Sequence, residues 1–367
     1  MRRTNKYLLG MLILNCALLL SVPLAAQISD SLEDPAVHIK EPAKAVLISI
    51  AKAGNRLVAA GERGIIVTSD DGGNSWKQSN VPSSDSLTVV KFVTPSIGWA
   101  AGHSGLILHT EDGGLNWTRQ LDGRVAAKLS SDAVQARFAG KTTPGAKVQL
   151  ENAARMLQDG PDKPFLDMYF EDAQKGTVVG AYGLIVHTED GGKTWTSWMD
   201  RLDNPDGHHF YAVVKVDNNV YVAGEQGLFY QSRDGGKQFT RIVSPYAGSY
   251  FGIAVAPGGG LILIGMKGTI MLFNGKAFTS VQSPSKINLT ATAWSVDGSL
   301  LLLNQGGQLL ISHDQGKTIE ILAVPALPPS GGMIDTGTGA IVTVGVAGVV
   351  RVPLAAVASQ LPQGGAQ

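Results

Sequence analysis

The sequence predicts an all-β fold, a seven-bladed β-propeller of four-stranded antiparallel blades with a helical hairpin inserted into it. Three observations lead to this prediction. Glycine is abundant, with 45 residues among 367 and no collagen-like period, which is typical of short strands joined by tight turns. An eight-residue motif containing Asp and Gly recurs along the chain, and a second glycine motif precedes each copy. The spacing of these motifs matches the length of one propeller blade.

The eight-residue motif, here called the Asp box, reads Ser or Thr, any residue, Asp, any residue, Gly, two further residues and an aromatic residue. Four full copies occur, SDDGGNSW at 69–76, TEDGGLNW at 110–117, TEDGGKTW at 188–195 and SRDGGKQF at 232–239. A fifth copy, SHDQGKTI at 312–319, lacks only the aromatic residue. In such turns the carboxylate accepts backbone hydrogen bonds and glycine takes the positive φ angles. We therefore expect a structural role for Asp71, Gly73, Trp76, Asp112, Gly114, Trp117, Asp190, Gly192, Trp195, Asp234, Gly236 and Phe239.

The second motif reads AG-x-x-G in its full form and is followed by an apolar run. Its last glycine falls at positions 64, 105, 183, 227, 268, 307 and 348, in steps of 41, 78, 44, 41, 39 and 41 residues. A step of about 41 residues is the length of one four-stranded blade, so the doubled step must contain an insertion and seven units result. No unit can bury both faces of its sheet alone. Neighbouring sheets must therefore stack in a ring.

The two ends of the chain lie outside the repeats. Residues 1–26 begin with basic residues and continue as an apolar run that ends in small residues, which predicts a secretory signal peptide cleaved after Ala26 and a periplasmic location. The alternative is a retained membrane anchor. Lipidation at Cys16 is disfavoured because Asn15 precedes it. Residues 27–46 are expected to close the ring, with Ala36–Lys40 as the missing outer strand of the seventh blade. The propeller then spans 47–354, and 355–367 form a flexible tail.

The insertion follows the second Asp box, at 121–164, where the alternating strand pattern stops. One helix is expected from Arg124 to Ala139, ending at Gly140, and a second begins with Thr143 as N-cap and Pro144 in the first turn. Apolar residues are predicted to share one stripe of the first helix, at Val125, Leu129, Ala133 and Ala136, and one face of the second, at Val148, Ala154 and Leu157. Two interpretations remain open. The hairpin is either a recognition surface or a cover for the edge of the second blade.

The charge balance limits the classes of partner. Without residues 1–26 the chain has 27 basic and 30 acidic side chains and no cysteine. This near-neutral balance provides no excess of basic side chains to contact a phosphate backbone, so we expect no nucleic-acid partner. No cofactor or metal is expected either. His109 and His187 occupy equivalent strands of different blades, and the pair at 208–209 lacks the third ligand of a catalytic zinc site.

The string GAYGLIVHTEDGGKTW, its neighbouring repeats and the leader together resemble the photosystem II stability and assembly factor family and its homologues in non-photosynthetic bacteria. The resemblance covers about Leu47 to Leu354. It implies a non-enzymatic factor that helps membrane complexes to assemble or to remain stable. Homologues in other bacteria look like accessory proteins of inner-membrane export systems. The resemblance therefore suggests a membrane protein complex as partner, with the chain peripheral to the membrane through that partner.

Enzymatic alternatives are less consistent with the sequence. A sialidase needs three arginines around the substrate carboxylate, whereas the loops and links that would form such a site contain only Arg63 and Arg201. A glycosidase needs two carboxylates, for which Glu62, Glu225 and Asp167 are candidates. We therefore predict a non-enzymatic scaffold, and a carbohydrate-active propeller, either lectin or glycoside hydrolase, remains the alternative.

The same loops form a coherent binding surface. Each joins the second and third strands of a blade, and the links between blades border the same face. Tyrosine and arginine are residue types that anchor protein interfaces. The expected partner-binding residues are Glu62, Arg63, His103, Tyr182, Glu225, Lys267, Asp167 and Tyr250.

Overall fold

The computed structural model describes residues 30–325 and 327–353, and these form seven antiparallel sheets. The predicted leader at 1–26 and tail at 355–367 lie outside the described residues. In chain order the sheets are β1–β4 (Leu47–Ala53, Arg56–Gly61, Ile66–Ser69, Lys77–Gln78), β5–β8 (Leu87–Phe92, Gly98–Gly102, Ile107–Thr110, Thr118–Leu121), β9–β12 (Phe165–Phe170, Gly176–Gly180, Ile185–Thr188, Thr196–Ser197), β13–β16 (Phe210–Val216, Asn219–Gly224, Phe229–Ser232, Thr240–Arg241), β17–β20 (Tyr250–Val255, Leu261–Gly265, Ile270–Phe273, Phe278–Val281), β21–β24 (Leu289–Trp294, Leu300–Asn304, Leu309–Ser312, Glu320–Ile321) and β25–β27 (Ser330–Asp335, Ala340–Gly345, Gly348–Pro353).

The sheets are the blades of a closed ring. The first strand of each blade contacts the first strand of the next, and β25 of the last blade contacts β1 of the first. Apolar side chains fill the spaces between successive blades in a series of buried clusters. The prediction of a seven-bladed propeller is therefore confirmed.

The ring closes differently from the prediction. Ala36–Lys40 was expected to add a fourth strand to the seventh blade, but this is wrong: in the part of the chain that the structure describes, that blade has the three strands β25–β27. The segment lies instead against the first blade, where the Ala36 amide donates to the carbonyl of Val81 at 3.0 Å. Leu32, only 1% exposed, is buried between the first and second blades. This apolar anchor holds the segment away from the seventh blade.

Two glycines of the AG-x-x-G motif are required by close backbone contacts. A Cβ on Gly102 would lie 2.1 Å from the carbonyl oxygen of Ser86, just before the first strand of the same blade. A Cβ on Gly64, which has φ +68°, would lie 2.1 Å from the carbonyl oxygen of Ser83 in the link to the next blade. The motif therefore marks where each blade touches both its own first strand and the link that follows.

The Asp boxes form the turns between the third and fourth strands. In the first box, Asp71 Oδ1 accepts hydrogen bonds from the amides of Asn74 and Ser75 at 3.0 and 2.9 Å, and Oδ2 accepts one from the Ser75 hydroxyl at 2.6 Å. The Trp76 indole donates to the Gly73 carbonyl at 3.2 Å. These bonds lower the pKa of Asp71 well below its usual range. Both oxygens of the Asp71 carboxylate are thus hydrogen-bonded within its own turn.

The helical hairpin follows the second blade, as predicted, with α1 at Gly123–Phe138 and α2 at Pro144–Asp159. Thr143 caps α2 by accepting a hydrogen bond from the Ala146 amide at 3.3 Å. The predicted stripes are not the buried sides of the helices, because Val125, Val148 and Leu157 are 49, 41 and 44% exposed. Leu129 alone among the stripe residues packs against the core between the second and third blades. Of the remaining stripe residues, Ala136 and Ala154 are exposed and Leu129 and Ala133 are half-buried. The side of the hairpin that packs on the ring includes Ala126, Ala127 and Met156. Val134, Phe138, Ala146 and Ala153 pack against one another between the two helices.

Candidate functional site

The upper face of the propeller is the face that carries the loops between the second and third strands of each blade. In five of these loops the fourth residue of the AG-x-x-G motif has a positive φ between 53 and 57°, although it is not glycine. This conformation is held by the neighbouring link and aims the side chain away from the sheet. Of the predicted binding residues, Glu62, Arg63, His103, Tyr182 and Lys267 are exposed on this face, in the loops of four blades.

Aromatic side chains form a continuous strip across the upper face. The rings of Tyr182 and His209 are 4.8 Å apart, those of His209 and Tyr211 are 6.2 Å apart, and those of Tyr211 and Phe251 are 5.4 Å apart, between centroids. Lys163 lies over the outer end of this strip, with its ammonium 4.8 Å from the centre of the Tyr182 ring. The aromatic strip, defined as Tyr182, His209, Tyr211 and Phe251, therefore runs from the hairpin to the centre of the ring.

Hydrogen bonds fix the middle of the aromatic strip. Glu225 accepts a hydrogen bond from the His209 amide at 2.8 Å and one from the Tyr211 hydroxyl at 3.4 Å. The Tyr182 amide lies 3.2 Å from His209 Nδ1, so Nδ1 is the acceptor nitrogen of this imidazole. Burial, with the nearby Glu225 carboxylate, raises the pKa of Tyr211. The rings are therefore positioned before any partner binds.

Lys163 is a buried cation with two carboxylate partners. Its side chain is 8% exposed, and its ammonium lies 2.9 Å from Asp159 Oδ2 and 2.5 Å from Asp162 Oδ1. Burial opposes the charged form, but the two carboxylates outweigh it and raise the pKa of Lys163. The residue thus stays charged while it ties the end of α2 to the loop of the third blade.

A pocket of about 170 Å³ lies between the hairpin and the link from the third to the fourth blade. Its apolar lining comes from both sides, with Val134 and Met156 on the helices and Met199 and Leu202 on the link. Tyr182 also lines it, so the pocket adjoins the outer end of the aromatic strip. A cavity of about 150 Å³ in a protein core is large enough for a benzene molecule. The pocket can therefore accept one apolar side chain of a partner.

The central channel is a second cavity, of about 370 Å³, lined by the first strands of all seven blades. Asp167 was expected near a link but lies inside this channel on β9, where its Oδ2 accepts a hydrogen bond from the Val213 amide at 3.0 Å. Its Oδ1 is 3.9 Å from the ammonium of Lys91. Burial raises the pKa of Asp167 despite the opposing charge of Lys91 and these hydrogen bonds.

Tyr250 is not a surface residue, although it was predicted as one. Its side chain is 0% exposed, and its hydroxyl is 2.6 Å from the hydroxyl of Ser244. Tyr250 is the first residue of the first strand of its blade. Phe210 and Leu289 occupy the same position in the blades before and after it, and both are also buried. Tyr250 therefore contributes to the core beneath the upper face.

Two of the three candidate carboxylates of a glycosidase have structural partners. Asp167 and Glu225 hold the amides of the fourth blade, as described above, and Glu62 is exposed in the loop of the first blade. Among residues 30–325 and 327–353, no three His, Cys, Asp or Glu side chains are grouped closely enough to hold a metal ion. In the same ranges, no helix has the length and apolarity needed to cross a bilayer.

Sequence reasoning missed three residues of this site, namely Lys163, Tyr211 and Phe251. Tyr211 and Phe251 each follow the first residue of an innermost strand and are 40 residues apart. An aromatic residue repeated at one position of two consecutive blades was the available signal, since equivalent positions of neighbouring blades lie side by side.

The fold and this surface define an Asp-box β-propeller whose upper face carries a hydrogen-bonded strip of aromatic side chains. The chain belongs to the family described as photosynthesis system II assembly factor YCF48, whose model matches residues 36–157 and 146–246. This confirms the resemblance seen in the sequence. The photosystem II assembly lipoprotein Ycf48 of Synechococcus sp. (strain CC9902) is 38% identical over 81 residues, which are 21% of this chain and 23% of that protein. The chain thus matches about a quarter of the length of that relative.

Two solved structures show the same fold. A structure described as YCF48 bound to D1 peptide matches with a TM-score of 0.61 at 17% identity, over 89% of this chain and 99% of that one. The GH74 enzyme of Niastella koreensis matches with a TM-score of 0.58 at 13% identity, over 84% of this chain and 52% of that one. At these identities the likeness concerns the fold alone.

Proposed function

We propose that this protein is an exported, non-enzymatic scaffold that binds a segment of a membrane protein complex on its upper face and supports the assembly or stability of that complex. The observation that carries this proposal is the aromatic strip, which leads from the channel to the hairpin pocket. Tyr182 is 50% exposed in the free protein, and the rings beside it are held by hydrogen bonds. A few aromatic residues often supply most of the binding energy of a protein interface. Side chains that are already fixed in the free protein lose less conformational freedom on binding.

The family supports the same class of function. A relative is described as an assembly lipoprotein of photosystem II, and a structure of another is described as bound to a D1 peptide. For this chain we propose a periplasmic location and a membrane complex as partner, with an inner-membrane export system as the specific candidate. Of the remaining predicted contact residues, Glu62, Arg63, His103 and Lys267 are exposed on the same face and are proposed as the rim of the contact. Glu225 is proposed to hold the aromatic strip inside that rim.

A carbohydrate-active propeller is the second candidate, and the specific observation in its favour is the same row of aromatic rings, of which Tyr182 is exposed and the other three are half-buried. Against a hydrolase, Glu225 and Asp167 are both committed to backbone amides of the fourth blade. A lectin would bind soluble glycans at the aromatic strip without any membrane protein. Binding assays with glycans therefore distinguish the two candidates.

The proposal is tested by capture of the native complex from detergent-solubilised membranes. Tyr182→Ser should weaken capture about tenfold, because loss of an aromatic side chain that anchors an interface costs about 1–2 kcal/mol of binding free energy. Val296→Ser is the matched control, since Val296 is 78% exposed in the turn between β21 and β22 on the opposite face. Equal capture by the wild type, Tyr182→Ser and Val296→Ser would overturn the proposed site. Glycan binding that depends on Tyr182, without capture of a membrane protein, would favour the lectin.

A further inference from the structure

Hydrogen bonds hold open the hairpin pocket, the space of about 170 Å³ between the hairpin and the link from the third to the fourth blade. On α1, Arg137 donates to the carbonyl of Leu202 in the link at 2.7 Å. On α2, Gln149 donates to Asp203 Oδ1 at 3.0 Å, and Asn152 donates to a carbonyl of the link at 3.0 Å. Both helices are thus fastened to the link, so the pocket exists before any partner binds.

Two methionines line the hairpin pocket, Met156 from α2 and Met199 from the link. Val134 and Leu202 add to this apolar lining, and Tyr182 belongs both to the pocket and to the aromatic strip. The flexible thioether of methionine adapts to the shape of an occupant, and its sulfur makes favourable contacts with aromatic rings. Since a cavity of about 150 Å³ admits benzene, the hairpin pocket has the size and the lining for one phenyl ring.

The buried cation at the pocket already has its partners. The Lys163 ammonium lies 2.9 Å from Asp159 Oδ2 and 2.5 Å from Asp162 Oδ1. A charged occupant would therefore lose its hydration without gaining Lys163 as a partner, which is costly. Arg155 and Asp206 also line the pocket, are exposed, and have opposite charges, so they suit the C=O and N–H groups of a peptide backbone. These charges favour an uncharged side chain on an extended segment.

We propose that the hairpin pocket binds one uncharged, phenyl-sized side chain, that of Phe in first place, from a partner segment that crosses the aromatic strip. The inference rests on the proposed scaffold function and deepens it, because it names the part of the segment that is recognised. Tyr182 joins the strip to the pocket, so a segment on the strip reaches the pocket directly. The strip then supplies contact area, and the pocket selects the sequence. The hairpin is thereby one wall of a specificity pocket.

The test is a titration of the purified protein with blocked tripeptides, acetyl-Ala-X-Ala-amide, in which X is Phe, Leu, Ala, Asp or Lys. NMR signals of isotope-labelled methionine methyl groups report where each peptide binds, and single Met→Leu replacements assign them. The Phe peptide should shift the signals of Met156 and Met199, but not those of Met266 in the fifth blade and Met333 in the channel. It should bind about tenfold more tightly than the Ala peptide, because it removes more apolar area from water. The Asp and Lys peptides should cause no shift.

Met199→Trp should fill the pocket from the link side, because Met199 is half-buried and its enlarged side chain extends into the open space. Binding of the Phe peptide should fall about tenfold or more, since the apolar area available to the ring is lost. The matched control is Met266→Trp, the same replacement at a half-buried methionine in the loop of the fifth blade, and it should bind like the wild type. Circular dichroism melts verify folding. Met199→Gln keeps the length of the side chain but makes it polar, and it should weaken binding even if the Trp variant does not fold.

The outcomes separate this inference from the scaffold proposal. Equal binding of the Phe and Asp peptides, or shifts confined to Met333, would overturn the inference. Binding of benzene without binding of any tripeptide would also overturn it and assign the pocket to a free apolar molecule. Capture that depends on Tyr182, without shifts at Met156 and Met199, would remove the pocket and keep the scaffold. Shifts as expected, with equal capture by the wild type and Tyr182→Ser, would support the pocket and remove the scaffold.

Discussion

His187 should make the stability of this protein fall as the pH is lowered from 7 to 4. Its side chain is 14% exposed, its ring stacks on Trp198 with centroids 4.0 Å apart, and Nδ1 is 3.0 Å from the hydroxyl of Thr177. Burial, reinforced by the positive charge of Arg201, lowers the pKa of His187 to about 4. Glu189 lies 3.9 Å from Nε2 and favours protonation, but its side chain is 80% exposed and its charge is well screened.

The size of the effect follows from the difference between the folded and unfolded pKa. In the unfolded chain the imidazole titrates near 6.5, whereas in the folded protein it titrates at about 4. Between these values the unfolded chain binds the proton and the folded protein does not, so stability is fully present above pH 6.5 and is lost as the pH falls toward 4. At about 1.4 kcal/mol per pKa unit, the loss is at most about 3 kcal/mol.

The assay compares the free energy of unfolding in urea for the wild type and His187→Phe at pH 7 and pH 4.5. Phenylalanine keeps a ring on Trp198 but cannot titrate, so the variant should be less sensitive to pH by up to about 3 kcal/mol. Burial also lowers the pKa of His109, which leaves some dependence on pH in the variant. An NMR titration that placed the pKa of His187 at 6 or above, or equal pH dependence in both proteins, would refute the reasoning.

Three further predictions concern the ring. Gly102→Ala should lower the free energy of unfolding in urea by about 3 kcal/mol, because the added methyl group would lie 2.1 Å from a backbone oxygen. Gly145→Ala in α2 is the control. It should leave this free energy unchanged or raise it slightly, because no atom lies within 4 Å of the added methyl group. Leu32→Ala, at a side chain that is 1% exposed, should cost about 2–5 kcal/mol and speed proteolysis near residue 30. Hydrogen bonds from Thr194 lower the pKa of Asp190 to about 2. Asp190→Asn should therefore be less stable than the wild type at pH 7. This difference in stability should narrow as the pH falls from 4 to 2, because the wild-type carboxylate becomes protonated.

The ring could be predicted because its evidence is repeated along the chain. Each AG-x-x-G motif marks a backbone contact that only glycine permits, as at Gly64 and Gly102, so its spacing directly measures the blade. The hairpin ends were predicted for a similar reason, since Thr143 and Gly140 are local signals of a helix start and a helix end.

The other features of the fold and site could not be predicted, because they depend on contacts between residues far apart in the sequence. The buried side of α1 was misassigned because size alone favours Val125, whereas the close approach to the ring selects Ala126 and Ser130. The N-terminal segment was assigned to the wrong blade because the placement of Leu32 is decided by a gap between two blades. The aromatic strip combines side chains from three blades, which become neighbours only after the ring has closed.

The position of the hairpin is set by the same N-terminal segment that was misplaced in the prediction. Arg124 in the first turn of α1 forms ion pairs with Asp30 and Glu33, and Arg119 on β8 pairs with Glu33 at 3.0 Å. Exposed pairs of this kind contribute little to stability one by one. Joined to the buried Leu32, however, they connect the start of the described chain, the second blade and the base of the hairpin. The first described residues of the chain therefore lie next to the base of the hairpin.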